Sequence, residues 1–467
     1  MVNIVDLTAV ELAGSIRARE VSAVEAVDAV LLQIERHGHL NAFVTIATDR
    51  ARAEARRADE ALARGEEIGP LHGLPFSVKD LTDTEGVRTT YGSRLYGENV
   101  PPADAVAVAR ARNAGAILVG KTTTPEFGHK PLTEGPLFGR TLNPWRQDVT
   151  CGGSSGGAAV ALAARMGPLA LGTDGGGSIR IPAACNGVVG LKATLGVVPN
   201  LQVPDLFGAN SYVGPMARTV ADVRLLFDTI AGPDSRDSYG QAHAAPKTVK
   251  GRRIGWLPRC GNAVDPEVER ITQAAVEAAM DFGFVIETID IDFVALEEAF
   301  LVILRSALAG RLGDAADRNP DLFDPTLLAT IEAGRAYRAT DLVAAQAARS
   351  AYFRRLQDLF QRVDVIASPT LAAPPLPAST DPLGPTTIAG RTFSGVRGGW
   401  YPYTYPFNLT GHPALSLPCG LTAGGLPLGL QLAGRWHEDR NLLDLAERFE
   451  GAIGFTARPP LRETAFA

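Results

Sequence analysis

Lysine is scarce in this chain. Lys79, Lys121, Lys130, Lys192, Lys247 and Lys250 are the only six, and arginine supplies the rest of the 45 basic residues. Where arginine carries the surface charge, a lysine in an apolar run needs its own reason, because a buried lysine can lose its proton and an arginine cannot. Lys79 lies in such a run, LHGLPFSVKDL. Cysteine is scarcer still. Cys151, Cys185, Cys260 and Cys419 stand far apart with no C-x-x-C pair, which excludes a zinc ribbon or a disulfide scaffold and points to a reducing cytoplasm. Positive charge is not in excess: the net charge is −6, so neither nucleic acid nor an anionic membrane is an expected partner. Long apolar runs are missing too, with no segment near the roughly 20 residues that span a bilayer. The N-terminal MVNIVDLTAVEL lacks the basic and apolar regions of a secretion signal and reads as the start of a helix.

What is present is alternation. A length of 467 residues allows one large domain or two to three ordinary ones. Thr8-Ala-Val-Glu11 and Ser22-Ala-Val-Glu25 are capping boxes ahead of apolar-periodic segments, so residues 1–65 read as helices. Beyond them, strand-like runs (LPFSVKD, AILVGKT, PLALGTD, RRIGWLP, FVIETIDI, DVIASPT, PALSLPCG, LGLQLAG) are interleaved with helical patterns such as ADAVAVARARNAG, SSGGAAVALAARM and TVADVRLLFDTIAG. This predicts an α/β fold around one large mixed sheet. Residues 265–362 are the most helical part and are expected to form a cap. The Pro/Gly-rich stretch 371–398 reads as a surface connection or lid.

One string invites a nucleotide-binding reading. GAILVGKT, residues 115–122, satisfies the G-x-x-x-x-G-K-[ST] phosphate-loop pattern. Its middle residues Ala116, Ile117, Leu118 and Val119 are strand formers, however, and Pro125 interrupts the helix that should follow Lys121. The string reads better as a strand entered through a turn at Gly115.

Two glycine-rich stretches carry more chemistry. CGGSSGGAAVALAARM contains Gly152-x-Ser154-x-Gly156, the pattern of a nucleophile elbow, for which His412 or His437 would nominally serve as partner. Its upstream NPWRQDVTC is polar and broken by Pro144, where an elbow needs a strand. In PLALGTDGGGSIRIPAACNG a buried strand runs into Thr173-Asp174, then Gly175-Gly176-Gly177, then Ser178. Three glycines let successive N–H groups converge on one point. That is the requirement of an oxyanion hole, in which each donor is worth about 10²–10³ in rate. Alone, the stretch is equally a tight strand–helix turn; with Ser154 and Lys79 it becomes a candidate catalytic centre.

Taken together, LHGLPFSVKD, GGSSGG and GTDGGGSIRIPAACNGVVGLKAT resemble the amidase signature family, with Lys79, Ser154 and Ser178 in that family's order and spacing. GKTTTPEFG, LNPWR, YVGPMARTVAD and FNLTGHPALSLPCG extend the similarity over most of the chain. The resemblance implies a single domain over 1–467: N-terminal helices (1–65), a core bearing the triad (66–235), a cap-like helical region (265–362) and C-terminal strands with a final helix (363–467). It implies a large twisted mixed sheet covered by helices on both faces, with no cofactor and no metal. Ser178 would be the nucleophile, and Ser154, its peptide bond cis, would relay the proton. A neutral, buried Lys79 would be the base. The N–H groups of Gly175, Gly176, Gly177 and Ser178 would hold the oxyanion, with Ser155, Asp174 and Arg180 supporting the loop. Small departures, such as Gly175 where the family often has Thr or Ile, touch packing and not the triad.

The family includes free-standing amidases and the glutaminase subunit of the glutamine-dependent tRNA amidotransferase. In the latter an Asp that binds glutamine commonly stands where this chain has Tyr401. Trp400, Tyr401, Tyr403, Tyr405 and Phe407 cluster in a chain with 7% aromatic residues. They are either core or, with Phe127, Ile181 and Phe207, the lining of a substrate pocket. The expectation is a free-standing hydrolase of small-molecule amides, with carbamates and esters in reach of the same acyl-enzyme route, as a single chain or a homo-oligomer such as a dimer.

Overall fold

The computed structural model describes residues 3–208, 210–240 and 252–461. Lys247, Lys250 and the last six residues of the C-terminal region lie outside the described residues. Eleven strands form one twisted sheet. From edge to edge they run Phe43–Ile46, Ile117–Thr122, Pro75–Lys79, Leu169–Asp174, Tyr212–Ala217, Val189–Lys192, Ala414–Leu421, Pro427–Ala433, Val365–Pro369, Arg253–Trp256 and Val285–Thr288. Pro75–Lys79 is parallel to both neighbours, whereas Leu169–Asp174 pairs antiparallel with Tyr212–Ala217, so the sheet is mixed. Of the string that matches a phosphate loop, Ile117–Thr122 is a wholly buried strand, and Lys121 donates to Thr82 O, Thr84 Oγ1 and Thr89 Oγ1.

Both faces of the sheet are covered. On one, Val160, Ala161 and Ala183 belong to the buried helices Gly156–Ala163 and Arg180–Asn186, and Ile179 caps the second. On the other, Val223 and Phe227 of Val220–Ile230, Val268 of Pro266–Ala278 and Leu442 of Asp439–Ile453 join the main core. The capping boxes form at Thr8 and Ser22, each hydroxyl accepting from the backbone N–H of the glutamate three residues on. Thr219 caps its helix through Asp222 N.

Within 265–362, the helices Glu297–Arg318, Pro325–Arg335 and Ala339–Leu359 pack on one another beside the sheet. A buried ion pair, Lys130 Nζ to Asp324 Oδ2 at 2.8 Å, ties them to the core. Asp324 N also donates to Glu126 Oε2 at 2.6 Å. The stretch 371–398 is part buried and part a small hairpin, Thr386–Ile388 with Arg391–Phe393.

The four lysines of the described residues, Lys79, Lys121, Lys130 and Lys192, are all buried. Among the described residues, lysine is thus a residue of the interior.

Candidate active site

Strands Pro75–Lys79 and Leu169–Asp174 lie side by side and parallel, so their C-terminal ends bring Lys79 and Thr173–Asp174 to the same end of the sheet. Ligands in open α/β sheets collect at such ends. The helix Gly156–Ala163 starts there, preceded by Ser154 and Ser155 and a cis peptide bond between Gly153 and Ser154. Ser155 N donates to Ser178 O at 3.0 Å, which stitches the two glycine-rich loops together.

Lys79 is fully buried and surrounded by hydroxyls. Its Nζ lies 2.7 Å from Ser154 Oγ, 2.9 Å from Ser155 Oγ and 2.9 Å from Thr173 Oγ1. Burial drives its ammonium well below the usual lysine range, with the Asp174 carboxylate pulling the other way. Lys79 does not reach the adjoining cavity, but Ser154, Thr173 and Ser178 all do. Ser154 thus touches Lys79 on one side and shares the cavity with Ser178 on the other.

The loop after Thr173 is held by Asp174. Its carboxylate accepts from Gly177 N (2.6 Å), Ile179 N (3.2 Å), Arg180 Nε and Nη2 (3.0 Å each) and Asn408 Nδ2 (2.9 Å). Burial alone would raise its pKa, but the Arg180 guanidinium and these donors hold it well below the usual carboxylate range. Arg180 in turn donates to Thr404 O, Gln431 Oε1 and Asn408 Oδ1. Thr404 Oγ1 donates to Gly176 O at 2.7 Å.

The expected set of oxyanion donors loses one member. Gly177 N–H is spent on Asp174, so it belongs to the loop's support and not to the oxyanion donors. The N–H groups of Gly175, Gly176 and Ser178 have no partner among the described residues.

The cavity measures about 600 Å3. Phe127 lines it, stacked on Tyr91. The other aromatic expectations are not met. Trp400, Tyr401 and Tyr403 are buried away from it, as are Tyr405 and Phe407. Trp400 Nε1 donates to Ala373 O, Tyr403 Oη to Pro258 O and Tyr405 Oη to Phe293 O, which is how buried aromatics satisfy their polar ends. Ile181 is core beside the loop, and Phe207 is 78% exposed. The stretch 371–398 contributes no lining residue.

Apolar wall comes instead from the helical region, through Ile303, Leu304, Leu308 and Leu342. The sequence offered no signal for these beyond helical periodicity. Thr173, Thr404 and Asn408 were also missed as functional residues, although GTDGGGS and FNLTG, which contain Thr173 and Asn408, stood out.

Among the described residues no free histidine partner for Ser154 is at hand: His129 lines the cavity, but both its ring nitrogens are engaged, by Glu126 O and Thr326 Oγ1. His412 sits between Phe353 and Phe360, its pKa lowered to about 3 by burial, and neither it nor His437 lines the cavity. Among the described residues no group of three His, Cys, Asp or Glu could hold a metal ion, and no helix is long and apolar enough to cross a membrane.

Known proteins resemble the chain along nearly its whole length. The Amidase family model matches residues 25–443. An acylamidase of Rhodococcus erythropolis is 34% identical over 466 residues, covering 97% of each chain. A glutamyl-tRNA(Gln) amidotransferase subunit from Synechococcus sp. (strain CC9605) is 36% identical over 492 residues, covering 97% of this chain and 98% of that one. The crystal structure of a bacterial aryl acylamidase of the amidase signature family superposes with a TM-score of 0.89 at 28% identity, covering 96% of each chain. The chain belongs to the amidase signature family and is a hydrolase of carbon–nitrogen amide bonds.

Proposed function

We propose that this chain is a self-sufficient amidase that works through an acyl-enzyme on Ser178, with N-aryl and N-alkyl amides as its preferred substrates. The observation that carries the reading is the fully buried Lys79 amine, 2.7 Å from a serine that opens onto the same cavity as Ser178.

Burial favours a neutral amine, and the proton inventory accommodates one. Ser155 Oγ donates to Thr173 O at 3.1 Å and accepts from Thr173 N at 3.2 Å, so towards Lys79 it can only accept. Thr173 Oγ1 takes the second N–H. The amine lone pair is then left for the hydroxyl proton of Ser154. When Ser178 attacks the carbonyl carbon, its proton passes to Ser154 Oγ as that oxygen's own proton moves to Lys79 Nζ. The developing oxyanion is met by the N–H groups of Gly175, Gly176 and Ser178. Collapse expels the amine, which takes the proton back from Lys79 through Ser154, and water then releases the acid by the same relay.

The apolar cavity wall favours apolar substituents on the amide, and the same route accommodates carbamates and esters. The relatives named as acylamidases support a free-standing enzyme. All four cysteines are free and buried, in keeping with a cytoplasmic setting. A homo-oligomer such as a dimer is compatible with this chemistry but not required by it.

The test is amine or ammonia release by the purified chain alone from an anilide, an aryl carbamate, an aromatic primary amide and glutamine. Turnover of any of the first three is expected. Release from glutamine alone, and only in the presence of partner proteins, would replace this reading with the amidotransferase one.

A further inference from the structure

The three glycines ahead of Ser178 are not equivalent. A Cβ on Gly176 would stand 2.6 Å from Phe300 Cζ, and one on Gly177 would stand 2.4 Å from Thr404 Oγ1, at a φ of +124° besides. Packing and backbone leave these two no alternative. Gly175 is under neither constraint. Its φ is outside the left-handed region, and a Cβ there would meet only Asn210 O, at 3.9 Å. The fold would accept a side chain at 175, and this chain has none.

The position faces the cavity that Ser154, Thr173 and Ser178 share. Its carbonyl is held by Asn210 Nδ2 at 3.3 Å, which fixes the peptide plane. A residue whose N–H meets the oxyanion carries its Cα close to the carbonyl under attack. A side chain on that Cα competes for space with the substituents of the acyl group. We propose that Gly175 is a specificity-determining residue, whose missing side chain lets the cavity admit acyl groups that are branched or aromatic at the carbon next to the carbonyl. Val203, Val213, Ile303 and Leu304 of the same cavity provide apolar surface for such groups to cover. The inference rests on the reading of Ser178 as nucleophile given above.

The experiment compares the wild type with Gly175→Ala, Gly175→Thr and Gly175→Ile. Each is given acetyl, 2-methylpropanoyl, 2,2-dimethylpropanoyl and benzoyl amides of one aniline. Methanesulfonyl fluoride and propane-2-sulfonyl fluoride serve in parallel as probes of Ser178, followed by intact mass. In that labelling the Ser178 O–S bond forms, the S–F bond breaks, fluoride leaves and the serine proton passes to the relay. A thermal melt within a few degrees of wild type shows that each variant is folded.

For Gly175→Ile, kcat/KM on the two bulkiest acyl groups should fall about 10- to 100-fold, the range in which a hydrophobic pocket discriminates by size. That fall is read relative to the acetyl substrate, whose own change reports any disturbance of the oxyanion donor at 175. The branched sulfonyl fluoride should be slowed in step with the bulky amides. An equal fall on all substrates would overturn the proposal, because the side chain would then disturb only the oxyanion donor at 175 and not the space for the acyl group. No change on any of them would overturn it by placing the side chain outside the acyl site. If no anilide is turned over, the amide preference fails and the ratio of sulfonylation rates decides the matter for Gly175. Absence of any label on Ser178 would defeat the nucleophile assignment and this inference with it.

Discussion

Replacing Asp174 by Asn changes one atom and removes the charge that organises the site. The carboxylate accepts five hydrogen bonds, three at Oδ1 and two at Oδ2. An amide group must turn its NH2 towards one of these sets, so at least two donors lose their acceptor and the buried Arg180 loses its counter-charge. Breaking a buried pair in this way costs roughly 3–5 kcal/mol. At about 2 cal/mol/K of unfolding entropy per residue, a chain of 467 residues then loses about 3–5 °C in Tm. Activity should fall further than stability, because either orientation strips the acceptor from a backbone N–H that holds the loop, Gly177 N at Oδ1 or Ile179 N at Oδ2. A fall in kcat of about 10²–10³ is expected, as for loss of an oxyanion donor. Differential scanning calorimetry and initial rates on the best amide substrate measure both. Should Asp174→Asn melt within about 1 °C of wild type and keep kcat within about threefold, the claim that Asp174 holds the loop is refuted.

Other consequences follow from the same geometry. Lys79→Met keeps the volume and removes a group that burial holds neutral while the unfolded chain keeps it charged. Below the ordinary lysine pKa the unfolded wild type binds the extra proton, so wild-type stability rises with pH in that range. The variant should therefore be the more stable protein at neutral pH, read from denaturant midpoints, and its stability should lack that upward slope. Gly177→Ala places a Cβ 2.4 Å from Thr404 Oγ1 at a φ of +124°; it should lower both Tm and kcat, whereas Gly175→Ala should leave Tm unchanged. Phe127→Ala removes cavity wall and should raise KM for aryl amides. Tyr401→Phe, in the core, should leave the ranking of substrates as it is, and a change in that ranking would return the aromatic cluster to the pocket.

The residues proposed to transfer the proton stood out in the sequence because their types are unusual in their surroundings. A lysine in an apolar strand, serines among glycines and an aspartate before three glycines each violate local expectation, and functional sites are where such violations gather. The aromatic run Trp400–Phe407 misled because bulk and burial look alike in a sequence; each of its Trp and Tyr groups is buried, and most find a backbone carbonyl nearby. The cavity wall was illegible for the opposite reason. Ile303, Leu304 and Leu342 sit on helices whose pattern fixes that a face is apolar, not what it faces.

Two central strands were also missed, Tyr212–Ala217 and Val189–Lys192. Their Gly214 and Gly190 count as strand breakers by propensity. In the fold they allow close approach: a Cβ on Gly214 would lie 2.2 Å from Leu191 O, and one on Gly190 2.5 Å from Ile179 Cγ2. Such contacts are long-range, and no local window contains them.

The central claim is that Lys79, through Ser154, activates Ser178 for acyl transfer. Its most direct test is the rate of acyl-enzyme formation, followed by rapid quench and intact mass with an activated aryl amide or carbamate. The account predicts one acyl group on Ser178 in the wild type, formed more slowly as falling pH protonates Lys79. It predicts a rate lower by about 10³ or more in Lys79→Met, the scale set by loss of a general base that also returns the proton. Acylation of Ser178 at an undiminished rate in that variant, or an acyl group found on another residue, would contradict it.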